Sequence, residues 1–367
     1  MAVLTFNLRR VSAPSFKSAL EGDNNFDALR QIAALGVILS HAYPVTQGHQ
    51  NEELLHVLTK NQTTLGEVCV IVFFVISGFL IAKSFSRSTS VIEYLVSRSL
   101  RIIPGLSVMA IVVAFLLGPL LTSLSITEYF SAAGSYRFLA TSFIYNAPQW
   151  LPGVFKENTY PEIVNASLWT LSYEFSCYTA LASLGLVWRK AWIPALLLSA
   201  FTLASIFLTW ISPGLFLSFA GYFLGGSLAY IFRSRIPLDV RWLVLSIGVV
   251  ATTLVVGQGF KLAMYFFGAY AILWISLTPS NKFNVFSRYG DLSFGTYIYA
   301  FPIQQTIAPW INSPLLNFLV AAPIVLVCAA ASWHFVEKPA LSKKRAISEW
   351  VGRHMRTLFP AAHRARS

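Results

Sequence analysis

Long apolar runs constrain this 367-residue chain more than any other feature. We count ten predominantly apolar stretches near 20 residues, the length that a helix needs to cross the core of a bilayer. Only 11% of the residues are charged, against about 25% in an ordinary soluble domain. The sequence therefore predicts an all-α integral membrane protein, a bundle of about ten transmembrane helices. The predicted spans are residues 28–45, 65–84, 102–121, 166–188, 191–211, 214–232, 242–258, 260–278, 290–310 and 315–336.

The net charge of +12 reflects how basic residues are distributed between the two sides of the membrane. With a cytoplasmic N-terminus, the inner segments hold 23 of the 27 Lys and Arg residues, and the outer segments hold Lys60, Arg137, Lys156 and Lys261. This asymmetry is the positive-inside rule. It predicts that both termini are cytoplasmic, that the partner of the basic residues is anionic lipid, and that no nucleic acid binds.

The predicted spans divide the chain into three parts. Residues 1–25 are polar, lack the apolar segment of a signal peptide, and are predicted to form a cytoplasmic tail. Residues 26–341 form the transmembrane domain, with an outer loop at about 122–165, and residues 342–367 form a basic cytoplasmic tail. A loop of that length is typical of a lid or binding surface. Its aromatic residues either stack on sugar rings or line the membrane interface.

The first span carries two ionisable residues, Arg30 near its start and His41 near its end. Eleven steps of about 100° bring the two side chains to one helix face, about 16 Å apart along the axis. Asp27 is placed to pair with Arg30 one turn away. Because ionisable groups inside a span are costly, they usually mark a functional site. The alternative is that Arg30 extends to the headgroups and His41 bonds to a neighbouring helix.

Two carboxylates in other spans are candidate partners of His41. Glu67 enters the second span, and Glu174 lies about 12 Å below the outer edge of the fourth, a depth similar to that of His41. A carboxylate beside a histidine fixes its tautomer and raises its basicity, as a general base requires. Since the order of helices in a bundle is not written in the sequence, this contact is a hypothesis.

Arg98 and Arg101 lie one turn apart where the third span is predicted to begin. Two guanidinium groups suit a phosphate-bearing ligand, because each binds oxygens in a bidentate manner. Taken alone, the commoner explanation is that they are basic flanks of a span. Neither the three cysteines nor the histidines of the first outer loop have a metal-binding spacing, so no metal site is predicted.

Several stretches, taken in this order, resemble the membrane-bound acyltransferase family 3, the O-acyltransferases of bacterial surface sugars, nodulation factors and some antibiotics. The resemblance covers about residues 24–345. Its markers are the Arg30 and His41 spacing, FFVISGFLI at 73–81, the pair Arg98 and Arg101, SLWTLSYE at 167–174 and VEKPAL at 336–341.

Two positions depart from the pattern of many relatives. Ile71 and Val72 stand where an acidic residue often precedes the FF pair. Ala300 and Phe301 stand where a histidine often precedes the proline of the ninth span. If that second histidine assists catalysis in relatives, His41 must act without it here.

The resemblance implies a cytoplasmic acyl-CoA donor, most often acetyl-CoA, as co-substrate, and no bound cofactor. It implies a hydroxyl acceptor on a cell-surface or lipid-linked carbohydrate, and a multi-pass location in the bacterial inner membrane. His41 is then the general base, with Glu174 or Glu67 orienting it, while a short-lived acyl-histidine is the alternative course.

The resemblance also suggests roles for the other polar residues. Arg98 and Arg101 would hold the phosphates of the donor, and Arg30 would contact the donor or line its path. Glu67, Trp169 and Tyr297 are the predicted substrate-binding residues.

Two other functions suit a ten-span chain with internal charges. One is a transporter or flippase of a lipid-linked saccharide, although no inverted repeat of broken spans is evident. The other is a non-catalytic membrane scaffold, which leaves the buried Arg30, His41 and Glu174 without a purpose. The oligomeric state is not indicated by the sequence.

Overall fold

The structure, a computed structural model, describes residues 14–88, 90–143, 149–187, 215–279 and 290–358, with positions 196, 199, 200 and 203. Helices make up most of these ranges, which hold no strand beyond three isolated β-bridges. The predicted all-α class is therefore confirmed.

Ten long helices run through the described ranges. They are α1 Phe26–Gln47, α2 Leu65–Arg87, α3 Val91–Leu121, α4 Trp169–Val187, α5 Leu215–Ile231, α6 Val240–Val256, α7 Phe260–Leu277, α8 Ser293–Ile307, α9 Pro314–Ser342 and α10 Lys344–Leu358. Short helices span Phe16–Ala19, Leu54–Leu58, Ile126–Ser131 and Ala133–Arg137, and 3-10 turns span Phe138–Phe143 and Ala308–Trp310. One wider π-helical turn interrupts each of α3, α7 and α9, at Val113–Leu117, Met264–Gly268 and Trp333–Glu337.

Helices α1–α9 coincide with nine of the ten predicted spans, whereas 191–211 lies almost wholly outside the described residues. Four of the helices, α2, α3, α7 and α9, are long and apolar enough to cross a membrane by length and composition. Helices α5 and α6 are apolar but shorter. The count of ten spans, the cytoplasmic termini and the domain boundaries stay predictions.

Two expectations need correction, one about the start of α3 and one about the region at 122–165. Helix α3 begins at Val91 rather than near residue 102, because the Ser90 hydroxyl caps it by accepting from the Glu93 N–H at 3.1 Å. The described residues of 122–165, predicted as an outer loop, also form short helices and a 3-10 turn. Ser125 and Glu128 form a reciprocal capping box that starts the first of its short helices. The Ser125 hydrogen bonds lower the pKa of the Glu128 carboxyl.

Helix α2 packs against α1, α5 and α7, while α1, α8 and α9 pack against one another. At the crossing of α2 and α5, a Cβ on Gly78 would collide with the Phe223 carbonyl, and one on Gly226 would collide with the Val75 carbonyl. Small residues at this crossing let the two backbones meet, and the Ser227 hydroxyl donates to the Gly78 carbonyl at 3.0 Å.

Candidate active site

A cavity of about 100 Å³ lies between α1, α2, α3, α4 and α8. At about 10–15 Å³ per water, it has room for several water molecules. On α2 its lining runs from Val70 to Ile81, about 16 Å along the helix, so the cavity is elongated along the bundle. Five of the eight predicted site residues line it, namely Arg30, Arg98, Arg101, Glu174 and Tyr297.

A chain of ion pairs lies beside one end of the cavity, which we call the Asp291 end. Asp291, just before α8, contacts both Arg30 of α1 at 3.0 Å and Arg101 of α3 at 2.5 Å. Arg101 also pairs with Glu337 of α9 at 3.2 Å. Arg30 pairs with Asp27 at 2.5 Å, so the predicted pairing one turn apart is confirmed. These contacts join α1, α3, α8 and α9.

The surroundings hold Arg101 and its partners in place. The Ser293 hydroxyl donates to Asp291 at 2.6 Å, and the Ser332 hydroxyl donates to the buried Glu337 at 2.9 Å. The Arg101 guanidinium also lies 5.8 Å from the centre of the Phe294 ring and 5.5 Å from that of Trp333. Arg101 therefore fastens helices together, and its contact with donor phosphates stays a prediction.

Arg98 differs from Arg101 in its partners. Its Nη2 atom donates to the hydroxyls of Ser97 at 3.3 Å and Ser84 at 3.5 Å, and no ion pair to Arg98 is found in the described part of the chain. Its Nε atom is buried and has no hydrogen-bond partner among the described residues. Arg98 is therefore a cation with donors available to a ligand in the cavity.

Hydroxyl groups surround Glu174 and Tyr297 in the middle of the cavity. Glu174 Oε1 accepts from the Ser77 hydroxyl at 2.7 Å and from the Tyr178 hydroxyl. Tyr297 donates to the Ser167 carbonyl at 3.0 Å, and its hydroxyl lies 2.6 Å from that of Thr170.

Several polar residues of this site were missed in the sequence, among them Ser77, Tyr178 and Asp291. A signal existed for Tyr178, because its i, i+4 spacing from Glu174 places both side chains on one face of α4. For Asp291 and Ser77 the partners are distant in sequence, and no local pattern indicates them.

His41 lies beyond the other end of the cavity, which we call the His41 end. Its ring meets Phe301 edge to face, with centroids 5.3 Å apart. Phe301 follows Tyr297 by one turn of α8, about 6 Å, so His41 lies about one turn past the cavity lining. Since α1 is continuous from Phe26 to Gln47, His41 also shares a face with Arg30.

The structure does not bring His41 to either predicted carboxylate partner. Among the described residues its buried Nδ1 atom has no hydrogen-bond partner. Glu174 bonds to hydroxyls in the cavity, as described above. Glu67 accepts from the Thr63 hydroxyl at 3.1 Å and lies 3.8 Å from Lys261 of α7.

Trp169, the remaining predicted residue, begins α4 and packs its ring against Tyr173 and Phe219 at 5.4 and 5.6 Å. Neither Trp169 nor Glu67 lines the cavity. Their roles in substrate binding stay predictions.

Comparison with known proteins places the chain in a family. The sequence model described as an acyltransferase domain matches residues 23–335, most of the chain. The chain belongs to the acyltransferase-3 family. Together with its apolar helices, this membership indicates an acyltransferase of the membrane.

Two curated relatives match along nearly their whole length. An "O-acetyl transferase" of Shigella phage Sf6 is 32% identical over 337 residues, 87% of this chain and 96% of that protein. "Nodulation protein 10" of Rhizobium leguminosarum bv. viciae is 27% identical over 376 residues, 91% of this chain and 97% of that protein. No solved structure is significantly similar. The first relative supports O-acyl transfer as the reaction class of this acyltransferase.

The structure also clarifies one of the two departures from the family pattern. Phe301 directly precedes Pro302 of α8, where many relatives are expected to have a histidine, and it is the residue that contacts the His41 ring. An apolar ring therefore stands beside the candidate base in this acyltransferase.

Proposed function

We propose that this enzyme transfers an acyl group, most simply acetyl, from a cytoplasmic CoA thioester to a hydroxyl of a cell-surface or lipid-linked carbohydrate. His41 is the general base in this proposal, and the chain is a multi-pass protein of the bacterial inner membrane. The observation that supports this proposal is the order of three features along the helices. The Asp291 end, the elongated cavity and His41 follow one another along α1 and α8.

The donor side of the proposal rests on Arg98 and the shape of the cavity. Arg98 offers guanidinium donors that no carboxylate neutralises among the described residues, which suits a nucleotide phosphate. Between the polar groups the cavity walls are Val, Phe, Leu and Ile side chains, which suit a thin aliphatic arm. A thioester carried on that arm would approach His41 from the Asp291 end.

In the chemical step His41 accepts the proton of the acceptor hydroxyl while the oxygen of that hydroxyl attacks the thioester carbonyl. A C–O bond forms, the C–S bond breaks, and the leaving CoA thiolate takes the proton from His41. A buried ring nitrogen without a partner costs free energy, so a ligand that forms a hydrogen bond with Nδ1 is favoured here. In this chain His41 acts without the carboxylate partner expected from the sequence.

The test is the acetyl content of surface polysaccharide in cells that lack this chain. Cells are complemented with the wild type, His41→Ala, or His334→Ala at matched membrane expression. His334 is the matched control, because it lies exposed on α9. We expect acetylation to return with the wild type and His334→Ala but not with His41→Ala.

Two other results would count against the proposal. Equal acetylation with His41→Ala would refute the catalytic role of His41. If the wild type restores no acetyl, the carbohydrate acceptor or the acyl group is wrong. In that case, release of free thiol from acetyl-CoA by the purified chain shows whether the donor assignment survives.

A further inference from the structure

A closed turn at residues 155–162 lies on the outer side of His41. The Glu162 N–H donates to the Phe155 carbonyl at 3.1 Å and closes the turn. Both of these residues have positive φ angles, 56° for Phe155 and 64° for Glu162. Such angles are uncommon for residues other than glycine, and they persist only where the surrounding structure enforces them. The turn is therefore a fixed element.

Gln305 of α8 fixes this turn to the bundle. Its fully buried side chain donates to the carbonyls of Tyr160 at 2.7 Å and Ile163 at 2.8 Å. In return, the Asn158 side chain donates to both the Gln305 carbonyl and its side-chain oxygen at 2.8 Å. Gln305 follows Phe301 by one turn of α8, so the turn is tied down directly beside the residue that contacts His41.

The turn brings the Tyr160 ring against the same neighbour as the candidate base. Tyr160 and His41 both pack against the buried Phe301, with ring centroids 6.1 and 5.3 Å from it, so the two rings lie no more than about 11 Å apart. Tyr160 is half-buried and keeps part of its surface accessible. Aromatic rings with one accessible side offer a large apolar surface and a polar tip to a ligand.

The other described tyrosine and tryptophan residues of 122–165 lie elsewhere. Tyr136 packs against Phe115 of α3 at 6.0 Å, Trp150 lies beside Gly134, and the hydroxyl of buried Tyr129 donates to the Ala114 carbonyl at 2.7 Å. Among the described aromatic side chains of 122–165, Tyr160 is thus the one that shares a neighbour with His41.

We propose that Tyr160 is a specificity-determining residue for the acceptor, with its ring as the platform on which a sugar ring lies while the hydroxyl of that sugar unit reaches His41. This inference rests on the proposed function, since it assumes a carbohydrate acceptor. Tyr160 contributes to binding of the acceptor and takes no part in donor binding or proton transfer.

The experiment uses the full-length chain in detergent, acetyl-CoA, and de-O-acetylated surface polysaccharide purified from cells that lack this chain. Tyr160→Leu keeps apolar packing on Phe301 but removes the ring, and Tyr160→Phe keeps the ring. Tyr136→Leu is the matched control from the same outer region. Loss of an aromatic contact is expected to raise the acceptor KM about tenfold in Tyr160→Leu. Tyr160→Phe and Tyr136→Leu are expected to match the wild type.

Two readouts separate this role from a structural one. The KM for acetyl-CoA, and thiol release in the absence of polysaccharide, should be the same in Tyr160→Leu and the wild type. An unchanged acceptor KM in Tyr160→Leu would overturn the inference, whether or not kcat falls. If the wild type itself transfers no acetyl to the polysaccharide, the proposed function fails first and this inference with it.

Discussion

The two ends of the site differ in how their polar groups are satisfied. At the Asp291 end, two arginines and two carboxylates from four helical segments pair with one another at 2.5–3.2 Å. At the His41 end the His41 ring packs against an aromatic ring, and a neutral amide network holds the neighbouring turn. Ion pairs hold the Asp291 end together, whereas the Nδ1 atom of His41 at the His41 end has no hydrogen-bond partner among the described residues.

This difference suggests a division of work. Ion pairs that are partly buried fix the relative positions of helices, because removing one partner leaves an uncompensated charge. Among the described residues His41 makes no ion pair, so a substitution of His41 leaves no charged partner uncompensated. Substitutions at the two ends should therefore affect different quantities, and the following predictions are arranged by expected size.

The largest effect is expected on the reaction rate at the His41 end. His41→Ala should lower kcat for acetyl transfer by about 10²–10⁴-fold, because a general base is lost. The KM for acetyl-CoA should change by less than about twofold, since the proposed function places the donor phosphates at the other end. Steady-state kinetics of the purified chain measure both. A large rise in the KM for acetyl-CoA would show that the two ends are not separable.

At the Asp291 end the large effect should fall on stability. Asp291→Asn removes the carboxylate shared by Arg30 and Arg101 and should lower the free energy of unfolding by about 3 kcal/mol. Asp27→Asn removes another partner of Arg30, but Asp27 is 44% exposed against 14% for Asp291. That control should cost less than about 1 kcal/mol. Unfolding in detergent compares the two, and equal losses would contradict the structural role of Asp291.

A smaller effect should separate the two neighbouring arginines. Arg98→Ala should raise the KM for acetyl-CoA about tenfold, the equivalent of one charge-assisted hydrogen bond, with little change in stability. Arg101→Ala should mainly destabilise the chain, because it leaves Asp291 and Glu337 short of a partner. Kinetics and thermal unfolding of both variants test this contrast. An unchanged KM for acetyl-CoA in Arg98→Ala would contradict it.

The smallest effect concerns a carboxylate near the His41 end. Glu53 is buried between α1 and α2, where its Oε2 atom accepts from the Ser40 hydroxyl at 3.1 Å. Burial raises the pKa of the Glu53 carboxyl, so the folded chain keeps this proton at pH values where the unfolded chain has lost it. Stability should therefore decline as the pH rises from the unfolded pKa to the folded one.

Glu53→Gln removes this titration. Thermal unfolding between about pH 4 and pH 7 should show the wild type losing stability relative to Glu53→Gln as the pH rises. Glu52→Gln, at an exposed neighbouring position, should follow the wild type. Parallel curves for the wild type and Glu53→Gln would mean that the carboxyl is not held in its protonated form.

Much of the fold followed from local patterns in the sequence. Apolar runs of membrane-spanning length predicted the positions of α1–α9, and the even helical period placed Arg30 and His41 on one face of α1. The early start of α3 was missed although its cap, Ser90 followed by Glu93, was visible. The capping box at Ser125 was likewise written in the sequence. Both features were missed because a capping residue is a weaker signal in the sequence than a long apolar run.

The candidate site was only partly predictable. The sequence by itself determined which residues are polar inside apolar helices, because the cost of burying such groups makes them conspicuous. Only the tertiary structure decided their partners. In the folded chain Arg101 pairs with Asp291 and Glu337. Glu174 accepts hydrogen bonds from Ser77 and Tyr178, and His41 packs against Phe301. Partners are set by the order and rotation of helices around the bundle, which depend on contacts between residues far apart in sequence, 236 positions in the case of Arg101 and Glu337. No local periodicity carries that information.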